Sequence, residues 1–139
     1  MFEDSHPLRK SQIEIRARYQ ETDAQGRVHH ATYINYFECA RIEMLRLAGI
    51  DYRDLEAQGV LLVVTEMECK YFDGAFFDDL LTVEVETVRA KGTRIQHLYT
   101  ISRQQKVLVT GRSVVACINR AGRPQPLPDF LQFDTRRTS

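Results

Sequence analysis

Residues 19–33 hold the side chains whose types and spacing could do chemistry. The segment reads YQETDAQGRVHHATY and contains the carboxylate of Asp23, the glycine Gly26 and two adjacent imidazoles, His29 and His30. A carboxylate can attack an acyl carbon or activate water, and the unpaired N–H groups at a helix start can polarise a carbonyl oxygen. We therefore expect the catalytic groups to lie in this segment, just ahead of a helix.

Each of these residues also has a purely structural explanation. Asp23 could only stabilise the turn before Gly26 through a side-chain hydrogen bond, and Gly26 could serve that turn alone. His30 could offer its backbone N–H or its imidazole to a substrate, or it could only hydrogen-bond locally. His29 is expected to point elsewhere and to be exposed. Adjacent histidines cannot easily converge on one ion, so the pair does not predict a metal site.

Length and composition bound the kind of protein. The 139 residues predict a single domain, residues 1–139, with a core at about 13–128 and flexible ends. The 19 basic and 19 acidic residues balance, so we expect no nucleic-acid partner. The three cysteines have no metal-ligand or disulfide spacing, and we expect no metal and no cofactor. No run of about 20 apolar residues and no signal peptide is present, which favours a cytoplasmic protein without a membrane span.

The charge balance hides an asymmetry along the chain. From Arg89 to Arg123 there are eight basic residues and no acidic one, whereas Asp51 to Val88 carries ten acidic and two basic residues. Acidic and basic strands could pair across a sheet, which is the commoner use of such charges. The basic stretch could instead form a rim for an anionic ligand. Arg89, Lys91 and Arg94, which flank a predicted hairpin turn, could then pair with phosphate groups.

Hydrophobic periodicity predicts an α+β fold. Residues 13–19 alternate as a strand, and residues 32–48 follow helical spacing, with Thr32 as N-cap and Gly49 just after the helix. A short helical turn is expected at 51–58, followed by four strands with tight turns at Lys91-Gly92 and Gln104-Gln105. Residues 1–11 should form a loose lead-in, and prolines at 124, 126 and 128 should keep the tail outside the sheet. The prediction is a five-stranded antiparallel sheet wrapped around one long central helix.

Two sequence patterns carry a resemblance to a known family. They are Y-x-x-T-D-x-x-G-x-V-x-H-x-x-Y from Tyr19 to Tyr33 and F-E-x-x-R-x-E-M-L from Phe37 to Leu45. With the element order, they resemble the hotdog-fold acyl-CoA thioesterases, in particular the 4-hydroxybenzoyl-CoA thioesterase family and its Tol–Pal-cluster-type branch. The resemblance covers residues 13–128. Asp73-Gly74 departs from it, since such sequences usually carry a basic residue followed by proline there.

The resemblance implies roles for individual residues. Asp23 corresponds to the catalytic carboxylate, and the backbone amide of His30 to the group that polarises the thioester. Tyr19 corresponds to a tyrosine bordering the site, where it could hydrogen-bond Asp23 or the substrate, or could only pack. The motif positions expected near the substrate are Gly26, Val28 and Tyr33.

Two charged residues of the predicted helix complete the candidates. Glu38 and Arg41 could pair with each other or make a contact between subunits. A related thioesterase branch carries its catalytic glutamate on this helix, which makes Glu38 the reserve catalytic residue. Arg41 is a candidate substrate-binding residue.

The expected function is hydrolysis of an acyl-CoA, with Asp23 as nucleophile or general base. There are two alternatives. The protein could be an acyl-carrier-protein thioesterase, because the motif does not distinguish carrier-linked acyl groups from acyl-CoA. It could also be a non-catalytic acyl-CoA binder, because a fold does not fix function. A sheet with open edges around one helix buries little alone. We expect a homodimer joined edge to edge, and two such dimers forming a homotetramer.

Overall fold

A computed structural model of the chain describes residues 6–134. One antiparallel sheet has the strand order β1-β3-β4-β5-β2, and a short β6 pairs with β3. The elements are β1 (Lys10–Arg16), α1 (Thr32–Leu47), α2 (Tyr52–Ala57), β2 (Leu61–Tyr71), β3 (Leu80–Lys91), β4 (Arg94–Arg103), β5 (Lys106–Ile118) and β6 (Phe133–Asp134). The predicted α+β arrangement of five antiparallel strands around one long helix is confirmed, with β6 as an unpredicted sixth strand.

The first strand and the segment after the prolines differ from the prediction. β1 starts at Lys10, so part of the expected lead-in belongs to the sheet, whereas residues 1–5 lie outside the described residues. β1 ends at Arg16, and Tyr19–Glu21 forms a 3-10 turn in which Glu21 accepts a hydrogen bond from the Arg18 amide. The tail beyond the prolines returns to the sheet, because β6 pairs with β3 at Arg89 and Ala90, just past the part of β3 that β1 covers.

Helix α1 lies against the inner face of the sheet. Its buried residues are Tyr33, Tyr36, Phe37, Ala40, Met44 and Leu45. Ile34 and Leu47 of the same helix are exposed. Gly49 has a φ of 82°, as expected for the residue that ends the helix in the left-handed region. Thr32 is not the N-cap: the cap residue is Ala31 and makes no side-chain capping bond.

The two tight turns form as predicted. Gly92 has a φ of 67° between β3 and β4. Gln104 and Gln105 between β4 and β5 have φ values of 51° and 71°, the pair of left-handed residues that a two-residue hairpin of the I′ type requires. Within the described part of the chain, no helix is long and apolar enough to cross a membrane.

The centre of the helix–sheet contact is an aromatic stack over a glycine. The Phe37 ring of α1 lies on the Tyr99 ring of β4, with centroids 4.4 Å apart and planes at 17°. A Cβ on Gly111 of β5 would lie 2.7 Å from Phe37 Cζ and even closer to a second ring carbon. Real Cβ atoms do not approach so closely, so glycine at 111 allows α1 to pack against the sheet.

Opposite charges pair across the strands. Glu66 and Glu68 of β2 face Arg112 of β5, at 3.1 and 2.7 Å. The acidic residues of β3 instead pair with the start of the chain, since Lys10 lies 3.6 Å from Glu84. Part of the asymmetry in the sequence therefore serves cross-strand pairing. Pairs so exposed contribute little individually.

A buried histidine borders a small cavity under the second half of α1. His97 is 3% exposed, and its Nδ1 atom has no hydrogen-bond partner among the described residues. The cavity, of about 30 Å³, is also lined by Arg41, Met44 and Thr87. Burial, and secondarily the nearby Arg41 cation, lower the pKa of His97 from 6.5 to about 3. The imidazole is therefore neutral in the folded protein down to acid pH.

This environment predicts an acid-sensitive fold. Between pH 6.5 and about pH 3 the unfolded chain binds a proton at His97 that the folded chain does not, so stability falls as the pH drops through this window. Replacing His97 with Phe should remove this decrease in the free energy of unfolding, which is about 2 kcal/mol at pH 5. Urea unfolding at pH 8 and pH 5 measures it. Equal pH dependence in both proteins would contradict the assignment.

Candidate active site

A tight loop before α1 presents Asp23. The loop closes with the Asp23 N–H donating to the Arg27 carbonyl at 2.7 Å and the Gly26 N–H donating to the Asp23 carbonyl at 3.0 Å. Gly26 adopts a φ of 81°, which side chains disfavour. Thr22 and Val28 pair as an antiparallel bridge on either side. Asp23 is therefore held at the tip of a small hairpin.

The two carboxylate oxygens of Asp23 have different surroundings. Oδ1 accepts hydrogen bonds from the Gln25 N–H (2.8 Å) and the Arg27 N–H (3.2 Å). Within residues 6–134, Oδ2 has no protein partner, and the residue is exposed. The turn-stabilising role is real, yet it uses only one oxygen. The second oxygen is available for chemistry.

The backbone amide of His30 points out of the start of α1. The His29 carbonyl accepts from the Thr32 N–H at 2.9 Å, so it is directed into the helix. The peptide is trans, and its N–H therefore faces the opposite way. The described residues provide no acceptor for this N–H. It is one of the unpaired donors that a helix start offers to a ligand.

Two side chains fix the peptides around this amide. Tyr71 of β2 donates its hydroxyl to the His30 carbonyl at 3.0 Å. His29 accepts the Ala31 N–H at Nδ1 (3.2 Å), just before the first residue of α1. The expectation that His29 points elsewhere is wrong, because its ring stacks on His30 with centroids 4.3 Å apart; it is exposed, as expected.

Asp23 and His30 face one cleft of about 490 Å³. Its wall consists of Asp23, Arg27, Val28, His30, Tyr33, Tyr71, Phe72, Asp73 and Gly74. Val28 and Tyr33 form the buried back of this wall: the Val28 N–H donates to the Ala75 carbonyl at 2.9 Å, and the Tyr33 hydroxyl accepts from the Ala75 N–H at 3.0 Å. Burial raises the pKa of the Tyr33 hydroxyl.

Other candidates lie outside this cleft. Tyr19 is 76% exposed, packs edge-on against Phe77 (5.6 Å between centroids), and makes no hydrogen bond with Asp23. Glu38 is exposed and 3.9 Å from Arg41, so the two pair as expected. The Arg41 guanidinium turns inward, donating to the Tyr99 hydroxyl at 3.0 Å beside the buried cavity.

The basic rim lies at the other end of the same protomer. The segment at 73–79 borders the cleft and leads into the first residue of β3, whereas Arg89, Lys91 and Arg94 surround the far end of that strand. Twelve residues separate the two ends, a distance of about 36 Å in an extended strand. Arg89 also has a partner, Asp134 of β6, at 3.5 Å.

The structure adds residues to the site that the sequence did not single out. Tyr71 ends β2 beside the His30 peptide, and Arg27 stands in the loop of Asp23. Asp73 binds Lys106 at 2.6 Å, and this ammonium group lowers the pKa of the carboxyl. The departure from the family pattern at Asp73-Gly74 lies in this wall.

Comparisons with known proteins agree with this geometry. The sequence profile of the thioesterase-like superfamily matches residues 17–133. The acyl-CoA thioester hydrolase YbgC of Escherichia coli O6:H1 is 34% identical over 119 residues, 84% of this chain and 89% of that protein. The acyl-CoA thioesterase YbgC of Haemophilus influenzae is 36% identical over 81% of this chain and 83% of that protein. The crystal structure of a probable thioesterase from Bartonella henselae superposes with a TM-score of 0.81 at 33% identity, covering 86% of this chain and 99% of that one.

Proposed function

Because the chain belongs to the thioesterase-like superfamily, we propose that it hydrolyses acyl-CoA thioesters to a free carboxylic acid and coenzyme A. The observation that carries the proposal is a single cleft lined by Asp23 and His30; among residues 6–134, neither Asp23 Oδ2 nor the His30 N–H has a hydrogen-bond partner. The relatives named as acyl-CoA thioester hydrolases support the same reaction. The resemblance to the hotdog-fold thioesterases is confirmed, and the YbgC relatives are consistent with the Tol–Pal-type branch.

In the proposed reaction the thioester oxygen accepts a hydrogen bond from the His30 N–H. Charge that develops on this oxygen is stabilised by a donor already in place. Asp23 attacks the acyl carbon, or takes a proton from a water that does so, and the C–S bond breaks to release coenzyme A as a thiolate. Tyr19, which lies outside the cleft, borders the bound substrate in this proposal. Glu38 is the alternative catalytic carboxylate if Asp23 does not take part in the reaction.

The proposed enzyme acts as a homodimer joined through β2. This 11-residue strand is an open edge of the sheet and exposes Val63 and Val64. β2 ends at the cleft, and its start lies at the end of the sheet that carries Arg89, Lys91 and Arg94. Antiparallel pairing of two copies of β2 about a two-fold axis therefore brings these basic residues of one protomer toward the cleft of the other. The basic rim could then face coenzyme A phosphates across the interface. Two dimers forming a tetramer is the further expectation.

The edge-to-edge dimer gives a direct prediction. Val64→Lys places a charge on the open edge and should shift the protein to monomers, seen by sedimentation velocity. Val107→Lys is the matched control, because Val107 is similarly exposed but lies on β5, inside the sheet. Retention of the dimer by Val64→Lys, or its loss in the control alone, would speak against pairing through β2.

A substrate panel tests the function itself. Purified protein is mixed with acyl-CoAs of different chain types and the same acyl groups on a carrier protein, and thiol release is followed. Cys39 is exposed, so reagent consumed by the protein alone is subtracted. Turnover of acyl-CoA is the expected result. Preference for the carrier-linked form supports the carrier-protein alternative, and binding without release supports the non-catalytic one. The proposed location is the cytoplasm.

A further inference from the structure

Arg27 is fixed relative to Asp23 by the backbone. Its N–H donates to Asp23 Oδ1 at 3.2 Å, and its carbonyl accepts the Asp23 N–H at 2.7 Å. On its other side it forms an antiparallel bridge with Phe76. The start of the Arg27 side chain therefore stands at a set place in the cleft wall, one short turn from the proposed catalytic oxygen.

Two neighbours direct the guanidinium of Arg27. It lies over the Phe76 ring, 5.1 Å from the centroid, a cation–π arrangement. On another side it passes Gly74, where a Cβ atom would be only 3.0 Å from Arg27 Nη1. Glycine at 74 thus leaves room for the guanidinium. Proline, the residue expected there from the family resemblance, would put its ring in this space.

Arg27 differs from its charged neighbours in having no anionic partner among the described residues. Around the cleft, Arg18 binds Glu21, Arg103 binds Asp79 and Lys106 binds Asp73, at 2.6 to 2.9 Å. Among residues 6–134, no carboxylate lies within ion-pair distance of Arg27. A directed guanidinium with no protein anion in a binding cleft is suited to an anion on the ligand, because its planar fork matches carboxylate and phosphate oxygens.

We propose that Arg27 binds an anionic group of the substrate and so sets which thioesters the cleft accepts. The group is a carboxylate at the end of the acyl chain or a phosphate of coenzyme A; both present the same oxygen chemistry. The inference rests on the proposed function, because it assumes that the thioester carbonyl lies between Asp23 and the His30 amide.

Four substrates separate the two sources of the anion. Butyryl and glutaryl groups, neutral and carboxylate-ended, are each presented as the coenzyme A thioester and as the phosphate-free N-acetylcysteamine thioester. The variant is Arg27→Met, which keeps an unbranched apolar side chain against Phe76. We expect kcat/KM to fall about 10- to 100-fold more for substrates carrying the recognised anion, mainly through KM. Arg53→Met, an exposed arginine on α2, is the control.

Each outcome of this experiment decides something. A loss specific to glutaryl thioesters assigns the anion to the acyl group, and a loss specific to coenzyme A thioesters assigns it to a phosphate. An equal loss on all four substrates, or none, overturns the proposal. Gly74→Ala, which crowds the guanidinium while keeping Arg27, should reproduce the same selectivity change in weaker form.

Failure of the proposed function is recognised separately. If the unmodified protein cleaves none of the four thioesters, the hydrolase assignment fails. The anion-binding role of Arg27 is then tested by calorimetric titration with coenzyme A and with glutarate. The affinity should fall in Arg27→Met but not in Arg53→Met. Unchanged binding of both ligands overturns the Arg27 proposal as well. An active protein with an unchanged Arg27→Met profile overturns the Arg27 proposal alone.

Discussion

Asp23→Asn should lower kcat by about 10²- to 10⁴-fold while KM stays close to that of the unmodified protein. Asparagine keeps an oxygen that can accept from the Gln25 and Arg27 amides, so the turn is preserved. What is lost is the second carboxylate oxygen, which the proposal uses as nucleophile or base. Thiol release from an acyl-CoA, with an unchanged melting temperature, measures the effect.

Glu38→Gln is the matched control for this experiment. It makes the same carboxylate-to-amide change on α1, at an exposed residue outside the cleft. We expect its kcat to stay within about twofold of the unmodified value, since it touches no group of the proposed reaction. Full activity of Asp23→Asn, together with a collapse in Glu38→Gln, would transfer the catalytic role to the reserve residue.

Gly111→Ala should destabilise the fold by about 3 kcal/mol, at the upper end of the usual cost of overpacking. The added methyl group would overlap the Phe37 ring, which is fully buried and stacked on Tyr99. A backbone carbonyl, that of Glu68, lies 3.2 Å away on another side and limits relief by movement. Urea unfolding at one fixed protomer concentration measures the change, because assembly would add to the apparent stability.

A second substitution tests the cause. Phe37→Leu shortens the side chain that the methyl group meets, so the double variant should be destabilised by less than the sum of the two single ones. A coupling of about 1 kcal/mol or more is expected for groups in direct contact. Strict additivity would mean that the cost of Gly111→Ala comes from the strand backbone and not from Phe37.

Most of the fold could be predicted because apolar residues at buried positions recur in the sequence with the period of a strand or of a helix. Leu81, Val83 and Val85 alternate with polar residues and are all fully buried on one face of β3. β6 was not predicted because a strand of two residues is too short to show an alternating pattern. Its pairing also depends on tertiary structure, since β1 leaves part of β3 without a partner strand. The end of β1 was placed too late, because Tyr19 continues the alternation although the chain has already turned.

The candidate site was predictable where it is local in sequence. Asp23, Gly26 and His30 lie within eight residues, and their spacing alone indicates a turn before a helix. Residues brought in by tertiary structure, such as Tyr71, gave no such signal. Helical spacing also does not show that the Arg41 guanidinium reaches the Tyr99 hydroxyl inside the protein. The sequence also did not show where Arg89, Lys91 and Arg94 lie relative to the cleft. The length of β3 places them away from the cleft of the same protomer.

A crystal structure with a ketone analogue of an acyl-CoA, in which a methylene between the carbonyl and the sulfur prevents hydrolysis, tests the proposed site most directly. We expect the carbonyl oxygen about 3 Å from the His30 nitrogen. Asp23 Oδ2 should face the carbonyl carbon, directly at about 3.5 Å or through one water. A carbonyl bound elsewhere, with the His30 N–H facing only solvent and Asp23 away from the acyl carbon, would contradict it.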